Sequence, residues 1–392
     1  MTRITRRSLL AAVAFARTSR ADIWTPNQPV PRATELADLQ GVRFHVIKAH
    51  EPSRDGGYGF LHGVALAWHK GKLYATFGHN KGIENTAGEE ARGRISNDGG
   101  RTWGDIFTMD NARIDDGKAR SDLAVSHGVF LSHGGKLWAF MGSFYAARQH
   151  VHTRAYVLDE QRGGWQHRGT AVDSGFWPMQ EPQPLPGGNW IMAGFKVGDG
   201  EPASVAISRG RDLTKWDQVV IPRAPEVKTM WGESTIIVQG KRVLNIARYG
   251  DEAVALTSTS EDGGRTWTAM RPSKLQMVTS KPYGGTLSNG QRYLVGTTTA
   301  DTGKRRAPLT IAVSAPGEVE FRRIFRIREA EHPGVGLDSH VKASLSYPYA
   351  VEHAGHLYVG YSNNGGRPGM NINSAELAVI PVESLRVGRI SM

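Results

Sequence analysis

One pattern of apolar and polar positions recurs along the chain. A glycine is flanked by two segments in which apolar residues alternate with other residues, as in GVALAW before Gly71 and LYATF after it. Such alternation on both sides of a glycine predicts two strands joined by a hairpin turn. Six copies occur, and their glycines are separated by 50 to 65 residues: Gly71, Gly135, Gly188, Gly240, Gly290 and Gly355.

A second, shorter pattern follows most of these hairpins. Two copies read Ser-x-Asp-Gly-Gly-Arg-Thr-Trp, at 96–103 and 260–267, and less complete copies lie at 159–165, 208–216 and 314–321. A repeat of about 50–60 residues that contains two hairpins forms a four-stranded antiparallel sheet, and sheets repeated radially form a β-propeller.

The repeats therefore predict an all-β fold, a six-bladed β-propeller of four-stranded antiparallel blades. We expect a single propeller domain over residues 40–392, preceded by a leader segment at 22–39. The strand near Arg43 to Ile47 is expected to close the ring by pairing with the last blade around Ala378 to Pro381. The chain has no cysteine, so disulfide bonds cannot hold the ring closed.

Composition and the amino terminus narrow the class of protein. The absence of cysteine excludes disulfide scaffolds, thiol catalysis and thiolate metal sites. No apolar run approaches the ~20 residues that a membrane span needs. The pair Arg6 and Arg7, followed by a short apolar core from Leu9 to Ala16, resembles a twin-arginine signal. We therefore expect residues 1–21 to be an export signal and the protein to be periplasmic or secreted.

The net charge is +11, and removal of residues 1–21 leaves 43 basic against 37 acidic residues, a net charge of +6. This cationic excess favours anionic partners such as acidic glycans. No stripe of Lys and Arg with interleaved aromatic residues is present, so nucleic acid is not an expected partner. We expect a monomer that needs no cofactor and no metal.

Alignment of the repeats on their glycines brings polar residues to equivalent positions. The start of one strand and the end of its antiparallel partner lie at the same end of a blade. We therefore expect these side chains to ring one mouth of the central channel, where ionisable groups favour a functional site over a solvated rim. Those near the start of the first strand are His62, His127, Gln180 with Glu181, Glu233, Tyr283 and Tyr347; those eight residues after the glycine are His79, Ser143, Lys196, Arg248, Thr298 and Asn363.

The two full copies of the shorter pattern resemble the Asp-box, the signature of the sialidase superfamily of six-bladed propellers. The resemblance covers nearly all of residues 40–390. We expect the Asp-box residues to be structural, because the Asp can accept hydrogen bonds from turn amides, the paired Gly can adopt left-handed conformations and the Trp can anchor the turn on its blade.

The resemblance also implies roles for site residues. The segment WGESTIIVQGKRVLNIARYG is similar to the one that supplies the glutamate partner of the nucleophile and a carboxylate-binding arginine, here Glu233 and Arg248. RRAPLTIAVS implies a further substrate-binding arginine at Arg306, and LSYPYAVEHAG implies a tyrosine nucleophile at Tyr347, with Tyr349 as second choice. A phenol needs a neighbouring base to act as a nucleophile near neutral pH, and paired guanidinium groups bind a carboxylate.

The first blade departs from the sialidase pattern. His62 stands where sialidases carry an arginine, and the usual acid/base aspartate is missing, so that Glu84 is the nearest carboxylate by spacing, with Glu89 and Glu90 behind it. The predicted catalytic residues are Tyr347, Glu233, His62, His79 and Glu84, and the predicted substrate-binding residues are Arg248, Arg306, His127, Lys196 and Tyr283.

Three functions fit these residues. The first is hydrolysis of a terminal acidic sugar, with Glu84 or a histidine protonating the leaving oxygen. The second is β-elimination from a uronate-containing polysaccharide, as in ulvan lyases, with His62, His79, Tyr145 and Arg248 as the working set. The third is a non-catalytic glycan-binding propeller, which predicts a shallow mouth in which Tyr347 and Glu233 are not neighbours.

Overall fold

The computed structural model describes residues 22–25, 27–51, 57–369 and 371–387, and the predicted export signal at 1–21 lies outside them. Regular structure in the described part is β-strand apart from two short 3-10 helices, Ala33–Glu35 and Val382–Leu385. None of the described helices has the length and apolar character that crossing a membrane would require. The all-β prediction is therefore confirmed.

The strands follow one another in groups of four or five along the chain, after two strands that precede the first group. These two are β1 (Ala37–Asp38) and β2 (Arg43–Lys48). The first blade contains β3 (Phe60–His69), β4 (Lys72–Asn80), β5 (Glu90–Ser96) and β6 (Phe107–Thr108), and a small ribbon of β7 (Ile114–Asp115) and β8 (Lys118–Ala119) follows. The second blade contains β9 (Leu123–His133), β10 (Lys136–Tyr145), β11 (Gln149–Asp159) and β12 (Gly164–Val172).

The remaining blades repeat this arrangement. The third contains β13 (Phe176–Pro178), β14 (Gln183–Pro184), β15 (Trp190–Lys196), β16 (Ala203–Arg209) and β17 (Asp212–Val220). The fourth contains β18 (Met230–Gln239), β19 (Arg242–Tyr249), β20 (Val254–Ser260) and β21 (Arg271–Gln276). The fifth contains β22 (Tyr283–Thr286), β23 (Arg292–Gly296), β24 (Leu309–Ser314) and β25 (Phe321–Arg328), and the sixth contains β26 (Leu345–His353), β27 (His356–Asn363) and β28 (Ser374–Pro381) together with β2.

Six blades are present in the described part of the chain, although two of them share one hydrogen-bonded sheet; the third blade has five strands, because β13 and β14 both pair with β15. The first and second blades join through a single parallel pair, Glu90 with Val125, which gives an eight-stranded sheet. The other blades form separate sheets, in which the pairs of strands are antiparallel except that β1 adds to the fifth blade in parallel. Division of the eight-stranded sheet at that one pair recovers the six units that the glycine spacing predicts.

The ring closes by pairing the start of the domain with its end, as predicted. Strand β2 runs antiparallel to β28, with Phe44 opposite Ala378 and His45 opposite Leu377. Ala378 and Leu377 are fully buried. Closure by an antiparallel pair removes two unpaired sheet edges, which suits a fold without disulfide bonds.

The two Asp-boxes have the structural role that their residue types predict. Asp98 accepts hydrogen bonds from the backbone nitrogen and hydroxyl of Thr102, at 2.9 and 2.7 Å, and Trp103 Nε1 donates to the carbonyl of Gly100 at 3.1 Å. Gly99 and Gly100 both have positive φ. The second box repeats these contacts. Each box follows the third strand of its blade, at the end away from the mouth described below.

The segment predicted as a leader packs on the fifth blade. Trp24 is 1% exposed and pairs with Phe321, while β1 runs parallel to β25. Its apolar side chains join a core cluster with the fourth and fifth blades, which includes Ile23, Leu36 and Ile324. The described part of the segment 22–39 therefore buries apolar surface against the propeller.

Candidate active site

A cavity of about 340 Å³ opens at the end of the blades where the first strands begin. Its walls combine aromatic and ionisable side chains, which is typical of ligand sites. The ionisable lining residues are His62, Glu84, His127, Arg148, Glu201, Glu233, Arg248, Arg306 and Tyr347, and the others are Asn85, Trp177, Met179, Phe195, Trp231 and Asn371.

Irregular strand pairing turns four of these side chains into the cavity. In the first strands of blades one, two, four and six, the register with the second strand shifts near the mouth. His127, Glu233 and Tyr347 lie inside these bulges and His62 lies directly before one. A bulge re-aims side chains that regular alternation would direct elsewhere. Tyr347 also has a φ of 53°, a backbone conformation that costs a non-glycine residue energy and that recurs at functional sites.

Tyr347, Glu233 and Arg248 form one hydrogen-bonded group. The Tyr347 hydroxyl donates to Glu233 Oε1, and Arg248 Nη1 lies 2.6 Å from Glu233 Oε2 and 3.5 Å from the Tyr347 hydroxyl. Side-chain exposure is 12% for Arg248 and 7% for Glu233. The pair is therefore well shielded from solvent, where a charge-assisted hydrogen bond is strongest.

Two arginines of this mouth are anchored by one threonine. Arg248 Nε donates to Thr279 Oγ1 at 3.0 Å, and Arg306 Nη2 donates to the Thr279 carbonyl oxygen at 3.0 Å. Trp231 packs on the Arg248 guanidinium, whose carbon lies 5.3 Å from the ring centroid, and the tryptophan side chain is 42% exposed. These contacts fix two guanidinium groups at the cavity while leaving donors of Arg306 available to an anion.

Burial keeps the phenol protonated in the free protein. It raises the pKa of Tyr347 well above the usual value, and the neighbouring Glu233 carboxylate adds to the effect, which Arg248 and Arg306 only partly oppose. Because Glu233 accepts the phenolic hydrogen bond, it is positioned to take the proton when the oxygen attacks a substrate.

The two histidines of the cavity are held neutral. Burial lowers the pKa of His62 well below its usual value, with His127, Arg306, Arg248 and Lys281 adding to the effect, and burial lowers the pKa of His127 to about 3.

The contacts of His62 differ from those of His127. His62 Nδ1 lies 3.0 Å from Ser362 Oγ and 3.2 Å from Asn373 Nδ2, and Asn373 Nδ2 also donates to the Leu61 carbonyl oxygen at 2.6 Å. The His62 ring packs 3.8 Å from the Tyr347 ring, between centroids. Among the described residues, Nε2 of His127 has no hydrogen-bond partner, and His127 lines the cavity.

Two carboxyl groups complete the wall. Asn371 Nδ2 donates to Glu84 Oε2 at 2.7 Å, and burial raises the pKa of Glu84. Arg148 Nη2 donates to Glu201 Oε1 at 2.9 Å, and burial likewise raises the pKa of Glu201. A buried carboxyl with a raised pKa can hold a proton for donation near neutral pH.

Three residues predicted for the site do not line the cavity. His79 is buried beside Tyr58, with 4.8 Å between ring centroids, and Lys196 is exposed at the end of β15. Tyr283 is buried inside the ring of blades, where its hydroxyl donates to Glu181 at 2.5 Å. Of the thirteen side chains expected to ring the mouth, five line the cavity, because strand side chains alternate. In blade three, Met179 and Phe195 face the cavity in place of their neighbours Gln180 and Lys196.

The four residues of the elimination hypothesis are not brought together. His62 and Arg248 line the cavity, but His79 does not, and the hydroxyl of Tyr145, at the end of β10, donates to Asp115 in the β7–β8 ribbon. The binding-only hypothesis predicts that Tyr347 and Glu233 are apart, whereas they are hydrogen-bonded.

The sequence reasoning missed several loop residues. Arg148 and Glu201 lie on the loops that join the second and third strands of blades two and three. Each follows its turn glycine by the same 13 residues as Glu84 does in blade one. Extension of the repeat alignment from strand ends to this loop position would have found both.

Comparison with known proteins agrees with this fold. The sequence matches the profile of the BNR repeat-like domain over residues 128–359. A search of curated proteins found no match.

Solved structures with a similar fold include a protein of unknown function from Dyadobacter fermentans, with 14% identity, a TM-score of 0.63 and coverage of 87% of this chain and 99% of that one. The Hadza microbial sialidase Hz136 has 12% identity, a TM-score of 0.64 and coverage of 87% and 69%. Trypanosoma rangeli sialidase has 14% identity and a TM-score of 0.59, and the match covers 91% of this chain but 60% of that enzyme.

Proposed function

This chain belongs to the family of BNR repeat-like domains, and from that premise we propose that it is a glycoside hydrolase that releases a terminal acidic sugar from a glycan. The observation that carries the proposal is the hydrogen-bonded group of Tyr347, Glu233 and Arg248 in the wall of a cavity that a second guanidinium, from Arg306, also lines.

The first step is attack by the tyrosine. The Tyr347 oxygen forms a bond to the anomeric carbon as the glycosidic carbon–oxygen bond breaks, and the phenolic proton passes to Glu233 Oε1 along the existing hydrogen bond. Arg248 contacts both groups and stabilises the negative charge that is redistributed between them. Water then attacks the glycosyl–tyrosine, and the proton returns from Glu233 to the phenolate as it leaves.

We assign the general acid to Glu84 and not to a histidine. A group that protonates the leaving oxygen must carry a proton at the working pH. Burial raises the pKa of Glu84, so this carboxyl keeps its proton to higher pH than an ordinary carboxyl, whereas burial lowers the pKa of His62 and His127. In the second step Glu84, now ionised, accepts a proton from the attacking water.

The acidic sugar is bound by fewer arginines than the sialidase resemblance implies. Arg306 and Arg248 supply two guanidinium groups, and neutral His62 stands at the position of the third. Two guanidinium groups are sufficient for one carboxylate. Two arginines in place of three support an acidic sugar as the substrate class, but they do not select sialic acid among the acidic sugars.

A product assay tests the proposal. The protein is incubated with a panel of acidic glycans that includes sialosides and uronate-terminated oligosaccharides, and the products are identified by mass spectrometry and ultraviolet absorbance. We expect a saturated free acidic sugar, and no release by the Tyr347→Phe variant. An unsaturated uronate as product would overturn hydrolysis in favour of elimination, and release that is unchanged in the variant would overturn the assigned nucleophile.

We also propose that the protein is exported to the periplasm or secreted, on the strength of the Arg6 and Arg7 pair. Cell fractionation of a bacterial host expressing the full chain is expected to find the protein outside the cytoplasm. Replacement of both arginines by lysine is expected to retain it inside, and continued export of that variant would contradict the twin-arginine route.

A further inference from the structure

A second, open groove of about 600 Å³ adjoins the catalytic cavity. It is formed by the loop between β23 and β24, the loop that precedes β26 and the loop between β27 and β28. Four of its lining residues are cations, Lys304, Arg305, Arg306 and Lys342, and the others are amides, hydroxyls and small apolar residues. None of the lining residues in the described part of the chain carries a carboxylate. We refer to these four cations and the surface between them as the basic groove.

None of the four cations of the basic groove forms an ion pair within the part of the chain that the structure describes. Among the described residues, Lys304 and Lys342 form no ion pair, and Arg305 and Arg306 donate to the carbonyl oxygens of Val341 and Thr279. The carboxylate of Asp338, on one of the same loops, already accepts two hydrogen bonds from Arg367, at 2.9 and 2.6 Å. Cations that lack a partner in the protein attract an anionic ligand.

The loops of the groove are tied to one another. The Leu345 backbone nitrogen donates to the Arg306 carbonyl at 2.7 Å, and the Ser344 nitrogen donates to the Asn364 side chain at 2.7 Å. Arg305 bonds the neighbouring loop at Val341, at 3.2 Å. The cations are therefore presented by a connected framework, which lowers the ordering cost of binding.

The groove opens on the leaving-group side of the cavity. Arg306 and Asn371 line both spaces, and Asn371 donates to Glu84 at 2.7 Å. Under the proposed function, Glu84 protonates the oxygen that links the terminal sugar to the next unit. The unit beyond that oxygen therefore extends past Asn371 into the basic groove.

We infer that the basic groove binds an anionic substituent, a carboxylate or a sulfate ester, on the sugar that follows the one released. The inference rests on the proposed function and deepens it, because the substrate becomes a glycan that is acidic at two successive units. Lys304 and Lys342 supply compact charges and Arg305 a planar fork, and both suit oxyanions. The neutral amides and hydroxyls between them can bind sugar hydroxyl groups.

Matched substrates test the inference. Three disaccharides share one terminal acidic sugar, and their second sugar is neutral, uronic or sulfated. The terminal sugar is the one that the product assay releases or, if nothing is released, the one in the glycan panel that the protein binds most tightly. For the wild type we expect kcat/KM to be higher for an anionic than for the neutral second sugar, and higher in dilute than in concentrated salt. The uronic and sulfated substrates distinguish the two sources of negative charge.

Two double variants with the same charge change separate the groove from the net charge. Lys304→Gln with Lys342→Gln is expected to lower the ratio of kcat/KM for the anionic over the neutral substrate about tenfold, equivalent to ~1.4 kcal/mol. Lys72→Gln with Lys136→Gln alters two exposed lysines at the opposite end of the blades and is expected to leave that ratio unchanged. An equal effect of both double variants, or a wild-type ratio near one, would overturn the inference.

A binding measurement keeps the inference separate from the proposed reaction. Calorimetry with the Tyr347→Phe full-length protein and the same disaccharides requires no turnover. If no glycan is cleaved but anionic disaccharides bind more tightly and lose that advantage in the groove variant, the proposed function fails and the groove stands. If cleavage occurs without any preference in binding or turnover, the groove fails and the function stands.

Discussion

Replacement of Tyr347 by phenylalanine isolates the phenolic oxygen from the rest of the site. The ring contact with His62, at 3.8 Å, and the positive φ are both retained, because the two residues differ by one oxygen atom. The change removes the hydrogen bond to Glu233 and the 3.5 Å contact with Arg248. Glu233 keeps its 2.6 Å ion pair with Arg248, so no buried charge is left unpaired.

The loss of these contacts determines the expected changes in the free energy of unfolding and in kcat. Loss of one hydrogen bond to a carboxylate, offset by the smaller desolvation of the apolar ring, is expected to change the free energy of unfolding by about 1–2 kcal/mol. Loss of a nucleophile that acts with its base lowers kcat by roughly 10³–10⁶-fold, as removal of a catalytic-triad member does. An effect on kcat of this size is at least ~4 kcal/mol and cannot arise from the change in stability.

The assay compares kcat on the preferred substrate with the free energy of unfolding from urea titration. Tyr349→Phe is the matched control, since Tyr349 lies two residues away on the same strand, is 2% exposed and does not line the cavity. We expect it to lose less than about tenfold in kcat, a change of ~1.4 kcal/mol in the barrier. A folded Tyr347→Phe protein that retains kcat within the same limit would refute the assignment of Tyr347 as nucleophile.

Three further predictions concern the acid, an Asp-box and a buried ion pair. Glu84→Gln is expected to lower kcat/KM by about 10²–10⁴-fold for a substrate with a sugar leaving group, and by less for one with an activated aryl leaving group. The wild type should lose kcat/KM as pH rises above the raised pKa of Glu84, and the variant should lack this alkaline limb. Hydrogen bonds from Thr266 lower the pKa of Asp262 to about 2. The stability that Asp262 contributes is therefore present above the pKa of the unfolded state, near 4, and is lost as pH falls toward 2. Urea titrations of Asp262→Asn should differ from those of the wild type at neutral pH and converge with them at acid pH. Glu376→Gln leaves Arg328 buried without its carboxylate partner and should cost about 3–5 kcal/mol in urea titration, whereas Asp217→Asn at an exposed pair should cost under about 1 kcal/mol. Equal losses of stability in Glu376→Gln and Asp217→Asn would contradict the argument that burial makes the loss of one partner of an ion pair costly.

The repeat pattern predicted the architecture because hairpin geometry leaves a local signature. Each turn glycine adopts a positive φ, and the spacing of Gly71 to Gly355 counted the blades without reference to any contact. Pairing of β2 with β28 was also predictable, since an open ring would leave two unpaired edges. Fusion of the first two blades through Glu90 and Val125 was not, because a single pair depends on how adjacent blades meet in space.

The site was predicted in part, and the strand residues that were misplaced share one physical cause. Position relative to the turn identifies which end of a blade a residue occupies, but not which face its side chain takes. Bulges directed His127, Glu233 and Tyr347 into the cavity, while regular alternation carried Lys196 outward. The position of a bulge depends on how two strands pair, and the number of residues between a side chain and its turn glycine does not reveal it. Loop residues such as Glu201 escaped for a different reason, since strand alternation does not extend to loops.

The most direct test of the account is capture of the covalent intermediate. A fluorinated analogue of the preferred acidic sugar, with an activated leaving group, slows breakdown of the glycosyl–enzyme more than its formation. After incubation and proteolysis, mass spectrometry is expected to find one sugar adduct, on the Tyr347 hydroxyl, and none in the Tyr347→Phe variant. An adduct on another side chain, or turnover of the natural substrate by a protein whose Tyr347 is never labelled, would contradict the account.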